Sequence, residues 1–486
     1  MFEWFEARSP SCMLTQRRWA VAVSAIVRAV TSTSLAPSTA HLLVAEAAAA
    51  QRVGRLPSLV AGIVREGVLA WSDGFGRVDG VEPDTDVQYR LGSITKTVTT
   101  VALLRLRDEG RCDLDDPIER HLPGTPFGDR TLGQLLAHDA GLRAESPGQW
   151  WERTPGTTWP DLSARFSRAE EVRHGAGRRF HYSNLGFAAA GEVVARLRGR
   201  PWADVVRDEV LLPLEMRRTT TRPDGRAARG WAVHPWADVL QPEPEHDAGA
   251  MAPAGQLWAT LVDLGRWAVF LLGDTGDVLA TASLEEMREP AGVEGSAAGW
   301  SAYGLGLQIS RSGETTYVGH GGSMPGFLAG VTVDVEQGVG AVVLANATSG
   351  LDAGLTQRLL ETVRRHEPRI VDPWLPLIAP DDGAMRLVGT WYWGTSPFGL
   401  RLRADGLLEL IPLLGAAPSV RFRRDDAGGW VGLEGYHHGE RLQPVEVDGR
   451  VVALNIGTFI HTRSPYDADA DVPGGTDPDG WRPGTT

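Results

Sequence analysis

The stretch LGSITKTVTT, residues 91–100, contains Lys96, the only lysine among the 48 basic residues of this 486-residue chain. Every other basic side chain is an arginine. Ser93 lies three residues before Lys96. A helix running from Ser93 to Glu109, with Val98, Leu103, Leu104 and Leu106 as its buried stripe, makes the two side chains neighbours on one face. A serine hydroxyl is a weak nucleophile until a neighbour accepts its proton. An ammonium group becomes such an acceptor when burial or adjacent positive charge draws its pKa from about 10.4 toward neutrality, whereas a guanidinium stays protonated. The helix N-terminus adds partial positive charge that favours a developing alkoxide. A serine three residues before a lysine is common by chance, so the pair needs company elsewhere in the chain.

Outward from this stretch, residues 37–55 read as a helix that opens on Pro37 and Ser38. SLVAGIVREGVLAWSDGFG (58–76) reads as a hairpin turning at Glu66-Gly67. Helical patterns recur at TLGQLLAHDAGL, LGFAAAGEVVARLRG and TLVDLGRWAVFLLG, each closed or followed by glycine. From about residue 303 strands return, as YGLGLQIS and AGVTVDVEQGVGAVVLANAT, before a last helix, LTQRLLETVRRHEP. Strands, many helices, strands and a helix, in that order, predict an α+β fold. Its single antiparallel sheet is built from both ends of the domain and flanked by helices.

A second unit follows PWLPLIAPDD. The runs LVGTWYWG, FGLRLRADGLLELI, VRFRRDDAGGWVGLEG and LQPVEVDGRVVALNIG alternate in polarity and break at Asp405-Gly406, Gly428-Gly429 and Asp448-Gly449. They predict a small antiparallel β-barrel or sandwich. The organisation expected is an N-terminal extension (1–30), a main domain (31–368), a small barrel (369–464) and a disordered acidic tail (465–486). In that tail Asp467, Asp469 and Asp471 imitate a calcium loop, but Val472 stands where glycine is required.

A formal charge of −13 with no basic run argues against a nucleic-acid partner. Two cysteines, Cys12 and Cys112, make neither a disulfide framework nor a zinc motif. No segment reaches the roughly 18 apolar residues of a membrane span. QRRWAVAVSAIVRAV has Arg17 and Arg18 before an apolar run, as a signal peptide does, but Arg28 interrupts it. A cytoplasmic protein is expected, with export through a weak N-terminal signal as the alternative.

Two further elements accompany the Ser93–Lys96 pair. HYSNLGF (181–187) places Tyr182, Ser183 and Asn184 in a polar turn before an apolar helix, where Ser183 or Asn184 also suits an N-cap. VGHGGSMPGF (318–327) crowds small residues around His320, as a glycine-rich turn before a strand does. In order, Ser-x-x-Lys, Tyr-x-Asn and His-x-Gly make the chain resemble the serine β-lactamase and penicillin-binding-protein relatives of the class C type. That group also contains D-alanyl-D-alanine carboxypeptidases, D-aminopeptidases and carboxylesterases. RLGSITKTVT, DLDDPIERHLPG, TLGQLLAHDAGL, GRRFHYSNLGF and APAGQLWATLVDLGRW match the family's phrasing, over about residues 35 to 366.

The resemblance implies that Ser93 is acylated, Lys96 is its proton partner, and Tyr182 assists base and acid steps. It also implies that Asn184 holds the substrate amide, and that the backbone N–H groups of Ser93 and of Ser323, after Gly322, form an oxyanion hole. His320 stands where many relatives carry lysine, which argues against an efficient β-lactamase. The activity implied is hydrolysis of a small ester, amide or D-amino-acid peptide through an acyl-enzyme, with no metal or cofactor. The competing reading is a catalytically weak ligand-binding sensor or scaffold, and the oligomeric state stays open. The small barrel resembles the lipocalin-like appendage of some relatives. His138 is expected to be a structural hydrogen-bonder. Trp150, Trp151 and Trp159 are expected in a segment over the pocket, as core or substrate contacts, and His437-His438 in a solvated turn.

Overall fold

The computed structural model describes residues 34–465 except 297, 298, 372 and 426. The expectations for Cys12, the signal-like segment and the acidic tail beyond residue 465 lie outside the described residues. The chain divides into two compact units, one ending at Arg369 and one beginning at Ile370.

In the first unit, helix α1 (Pro37–Val53) carries proline in its first turn, where no N–H is needed. Strands β1 (Ser58–Arg65) and β2 (Val68–Gly76) form the expected hairpin. Its turn residues Glu66 and Gly67 both take positive φ, 51° and 77°, the combination that matches the twist of paired strands. Helices α2 (Thr95–Asp108), α3 (Leu132–Leu136), α4 (Asn184–Arg198) and α5 (Leu261–Leu272) come next. The chain then returns to strands β3 (Gly292–Ser296), β4 (Gly299–Tyr303), β5 (Gln308–Ser312), β6 (Thr315–Met324), β7 (Phe327–Asp334) and β8 (Val339–Ala345). Helix α6 (Leu355–His366) closes the unit.

These strands make one eight-stranded antiparallel sheet in the order β2-β1-β8-β7-β6-β5-β4-β3. Leu59 pairs with Ala345, so the two ends of the unit meet inside the sheet. Alternation along β1 assigns its faces. Leu59, Ala61 and Ile63 pack with Leu43, Ala47, Leu355, Leu359 and Val363 of α1 and α6. Val60 and Val64 face the larger core that holds Leu264, Trp267 and Leu271 of α5. Because helices cover both faces, β1 and β8 are buried almost throughout and read as continuous apolar runs.

Four local expectations change. Strands return at Gly292, with β3 and β4, rather than from about residue 303. Ser93 is not in an α-helix: it sits in a 3₁₀ turn, Gly92–Ile94, and α2 begins at Thr95. The pattern TLGQLLAHDAGL yields only five helical residues, opened by a Thr131–Gln134 capping box and broken where His138 takes φ 57°. The stretch around His320 is not a turn before a strand but the strand β6 itself. Its glycines serve close backbone approach rather than chain reversal.

The second unit is a closed barrel of eight antiparallel strands. These are β9 (Gly389–Trp393), β10 (Ser396–Leu402), β11 (Leu408–Pro412), β12 (Val420–Arg424), β13 (Trp430–Gly432), β14 (Arg441–Val447), β15 (Arg450–Ile456) and β16 (Phe459–Thr462). β9 pairs with β16 through Tyr392 and Thr462. At eight strands a barrel is just wide enough to be filled by side chains. Trp391, Leu400, Leu408, Phe422, Trp430, Leu454 and Ile456 fill this one. The expected solvated turn at His437-His438 is half correct. His438 is exposed, but His437 lies in a 3₁₀ turn with its Nδ1 buried and without a hydrogen-bond partner.

Candidate active site

Gly92 and Gly322 set the frame of the site. Gly92 takes φ 54°, and a Cβ there would lie 2.5 Å from the backbone nitrogen of Ser323. A Cβ on Gly322 would lie 1.8 Å from the carbonyl oxygen of Leu91. The turn carrying Ser93 is thus pressed backbone to backbone against β6, which only glycine allows on both sides. Gly322→Ala is expected to lower stability by about 3 kcal/mol or more, because backbone rather than a flexible side chain must move. A thermal melt measures the loss, and labelling of Ser93 by an electrophile should fall with it.

Lys96 is fully buried at the start of α2. Its Nζ donates to Ser93 Oγ at 2.9 Å and to the carbonyl of Ala254 at 2.7 Å. Burial draws the ammonium down to about 7, against the opposing charges of Glu145 and Glu152. The ring of Tyr182 lies 4.9 Å from the same Nζ. Burial pushes the Tyr182 phenol above its ordinary value, with the Ser93 hydroxyl pulling the other way. Of the two candidate bases beside Ser93, the lysine amine is therefore the one that loses its proton near neutral pH, while the phenol remains protonated.

The two residues after Tyr182 hold it in place. Ser183 caps α4 by accepting from Gly186 N–H at 3.0 Å and donates through Oγ to the carbonyl of Arg143 at 2.6 Å. The backbone N–H of Asn184 donates to the carbonyl of Ala144. His138 supplies the expected structural hydrogen bond: its Nδ1 accepts from Ser183 N–H at 3.0 Å. Its ring centroid lies 4.0 Å from that of Tyr182. Burial holds this imidazole well below its ordinary pKa, and it is neutral.

His320 lines the cleft on β6, but its ring is satisfied within the protein. Nδ1 lies against the carbonyl of Gly321, which can only accept, so Nδ1 carries the proton. Nε2 then accepts from the Tyr303 hydroxyl at 2.9 Å. Burial and the neighbouring Lys96 draw His320 down to about 3, so no positive charge stands at this position. The cleft is lined by Ser93, Ala144, Tyr182, Tyr303, His320 and Ser323 among others. The tryptophans divide: Trp151 and Trp159 are buried, and Trp150 is exposed.

Residues 45–364 match the protein family described as Beta-lactamase. The chain belongs to the Beta-lactamase family. Residues 380–463 match a domain of unknown function, DUF7586, which coincides with the barrel. Among relatives of this Beta-lactamase family chain is Protein flp of Staphylococcus aureus (strain MW2), 24% identical over 332 residues. The match covers 65% of this chain and 64% of that protein, so the chain spans slightly less than two thirds of the relative's length. A D-stereospecific amidohydrolase from Streptomyces sp. superposes with a TM-score of 0.57 and 28% identity, over 68% of this chain and 99% of that one. An octameric penicillin-binding protein homologue from Pyrococcus abyssi superposes with a TM-score of 0.59 and 21% identity, over 87% and 99%. Among the described residues, no cluster of side chains suits a metal ion, and no helix is long and apolar enough to cross a membrane.

Sequence reasoning singles out Ser93, Lys96, Tyr182, His320, Gly322 and Ser323, which the structure brings together at the cleft, and Asn184, which is buried and donates its Nδ2 to Glu145. It misses Ala254, whose carbonyl holds Lys96, and Tyr303, which holds His320. It also misses Glu145, which accepts from Asn184 Nδ2 at 2.8 Å.

Proposed function

We propose that this protein is a class C-type serine hydrolase that cleaves a small ester, amide or D-amino-acid peptide through an acyl-enzyme on Ser93. The observation that carries the reading is the 2.9 Å contact between Ser93 Oγ and a buried Lys96 drawn down to about 7. Neutral Lys96 takes the hydroxyl proton as Ser93 Oγ bonds to the substrate carbonyl carbon. The oxygen that becomes negative lies against the N–H groups of Ser93 and Ser323. As the tetrahedral centre collapses, the bond to the leaving amine or alcohol breaks and the protonated Tyr182–Lys96 pair returns a proton to it. Water then attacks the ester by the same route in reverse, and Ser93 regains its proton. The Streptomyces relative is a D-stereospecific amidohydrolase, which supports an amide of a D-amino acid as the substrate class.

The kcat/KM of such an enzyme is expected to rise with pH through about 7, as Lys96 loses its proton, and Lys96→Arg should remove that limb. A pH–rate profile on any turned-over ester measures it. Intact-protein mass spectrometry after treatment with a fluorophosphonate, and separately with a penicillin, tests the reading itself. One adduct that disappears in Ser93→Ala supports it. Absence of an adduct with either reagent favours the sensor or scaffold reading.

A further inference from the structure

The barrel of the second unit is filled by side chains along its length but open at one mouth. Directly opposed residues share a face, so the pairs Leu408–Phe422, Leu400–Leu410 and Leu454–His461 all point inward. Phe398, Pro412 and Val420 continue the same inner face toward one end, where they line a cavity of about 640 Å³ with Leu410, Tyr436 and His437. That volume falls in the range of small-molecule sites. The turn Gly435–His437 brings Tyr436 and His437 to this mouth and is laid closely on β13. A Cβ on Gly432 would lie 1.9 Å from the carbonyl oxygen of His437, so only glycine admits the turn there. Phe459 backs it, with ring centroids 5.4 Å from Tyr436 and 6.0 Å from His437.

The charged groups in the cavity wall are already paired. Arg421 grips Glu434 through hydrogen bonds of 2.8 and 2.7 Å, and Arg403 reaches both Glu409 and Asp405. Glu409 also accepts from Arg401 and from Ser419 Oγ. A charged ligand has to break one of these pairs or lie beside them without a counter-charge, so the cavity suits an uncharged molecule. Its flat surfaces are aromatic, and Tyr436 is 78% exposed. His437 supplies an unmet polar atom: its Nδ1 is buried and, among the described residues, has no hydrogen-bond partner. The same holds for Nδ1 of His461, whose ring lies 5.3 Å from that of Phe398. Burial lowers both imidazoles, His461 to about 4, so both are neutral. A buried nitrogen without a partner costs stability until a ligand meets it. A hydroxyl both donates and accepts, and therefore satisfies His437 Nδ1 in either tautomer.

We propose that this barrel mouth is a binding site for an uncharged polycyclic phenol, its rings against Phe398, Val420 and Tyr436 and its hydroxyl on His437 Nδ1. The site is built wholly within the second unit and needs nothing from the activity proposed for Ser93.

Equilibrium dialysis of the whole protein against 2-naphthol, naphthalene, 2-naphthoate and a methyl glucoside tests the site. Saturable binding of 2-naphthol is expected, tighter than that of naphthalene by about 5- to 10-fold, the worth of one hydrogen bond to a neutral group. 2-Naphthoate should bind more weakly than 2-naphthol by at least as much. His437→Phe keeps a ring against Phe459 and removes the nitrogen, so the preference for 2-naphthol over naphthalene should collapse toward one. Ala417 is exposed on the loop that edges the cavity, and Ala417→Trp should fill the cavity without touching the barrel core. A loss of about 10-fold or more in affinity for both ring compounds is expected from it. No saturable binding of 2-naphthol overturns the proposal, and so does binding that Ala417→Trp leaves unchanged, which puts the site elsewhere in the protein. Equal affinity for naphthalene and 2-naphthol in the wild type overturns the role of His437. Preference for 2-naphthoate or for the glucoside overturns the ligand class.

Discussion

Ser93→Ala should reduce turnover of small esters and amides by about 10⁴-fold or more, since removing the nucleophile of an acyl-enzyme mechanism leaves only binding and oxyanion contacts. The change deletes one oxygen from a partly exposed turn residue. That oxygen accepts from Lys96 Nζ and meets the Tyr182 phenol, and no packed apolar group is lost with it. The melting temperature should therefore stay within a few degrees of wild type. Steady-state kinetics and a thermal melt on the same preparations check both halves. Retained turnover would move the nucleophile elsewhere in the cleft.

Lys96 carries the second large effect, and it separates charge from proton transfer. Lys96→Arg preserves the positive charge but cannot become neutral, and the broader guanidinium must enter a slot in which lysine is already completely enclosed. A loss of about 10³-fold or more in kcat is expected. Lys96→Met, which keeps the length and removes the charge, should be equally inactive yet reveal a cost in stability. Burial lowers the folded-state pKa to about 7, whereas the unfolded chain titrates near 10.5. Between those values the unfolded state binds the extra proton, so stability rises with pH across that window. The penalty is complete below about 7 and gone above about 10.5. Its ceiling is about 5 kcal/mol, less what is lost when Ser93 Oγ and the Ala254 carbonyl lose their donor. The advantage of the methionine variant should thus be largest near pH 6 to 7 and shrink toward pH 10. Denaturant unfolding at several pH values measures it, and an advantage independent of pH would mean that Lys96 is not buried as a charge.

The parts of this site that could be read in the sequence are those encoded locally. The Ser93–Lys96 spacing needs only a helical turn, and a 3₁₀ turn running into α2 serves as well as the helix expected there. The hairpin at Glu66-Gly67 and the paired strands of AGVTVDVEQGVGAVVLANAT were legible because turn chemistry and alternation are short-range signals, whereas β3 and β4, which bring the strands back from Gly292, went unread. What escaped lies across the fold. Ala254 contributes a carbonyl, which no side-chain pattern encodes, and Tyr303 looks like any strand tyrosine until β4 and β6 come together in the sheet. The VGHGG stretch was misread for a definite reason. Glycines suggest a turn when considered alone, but here Gly322 is small because Leu91 passes directly over it.

The pairing of Leu59 with Ala345 carries a consequence for how the protein is made. β1 and β2 leave the ribosome early as a lone hairpin, which is marginal by itself in water. Their partner β8 emerges only after the whole helical region has been synthesised. The loop that closes the sheet is therefore nearly as long as the unit, and contacts of such long sequence separation slow folding. Until β8 arrives, β1 presents an unpaired apolar edge, the kind of surface on which chains aggregate. The barrel strands start only at Gly389, so the first unit can complete its sheet while the second is still being translated.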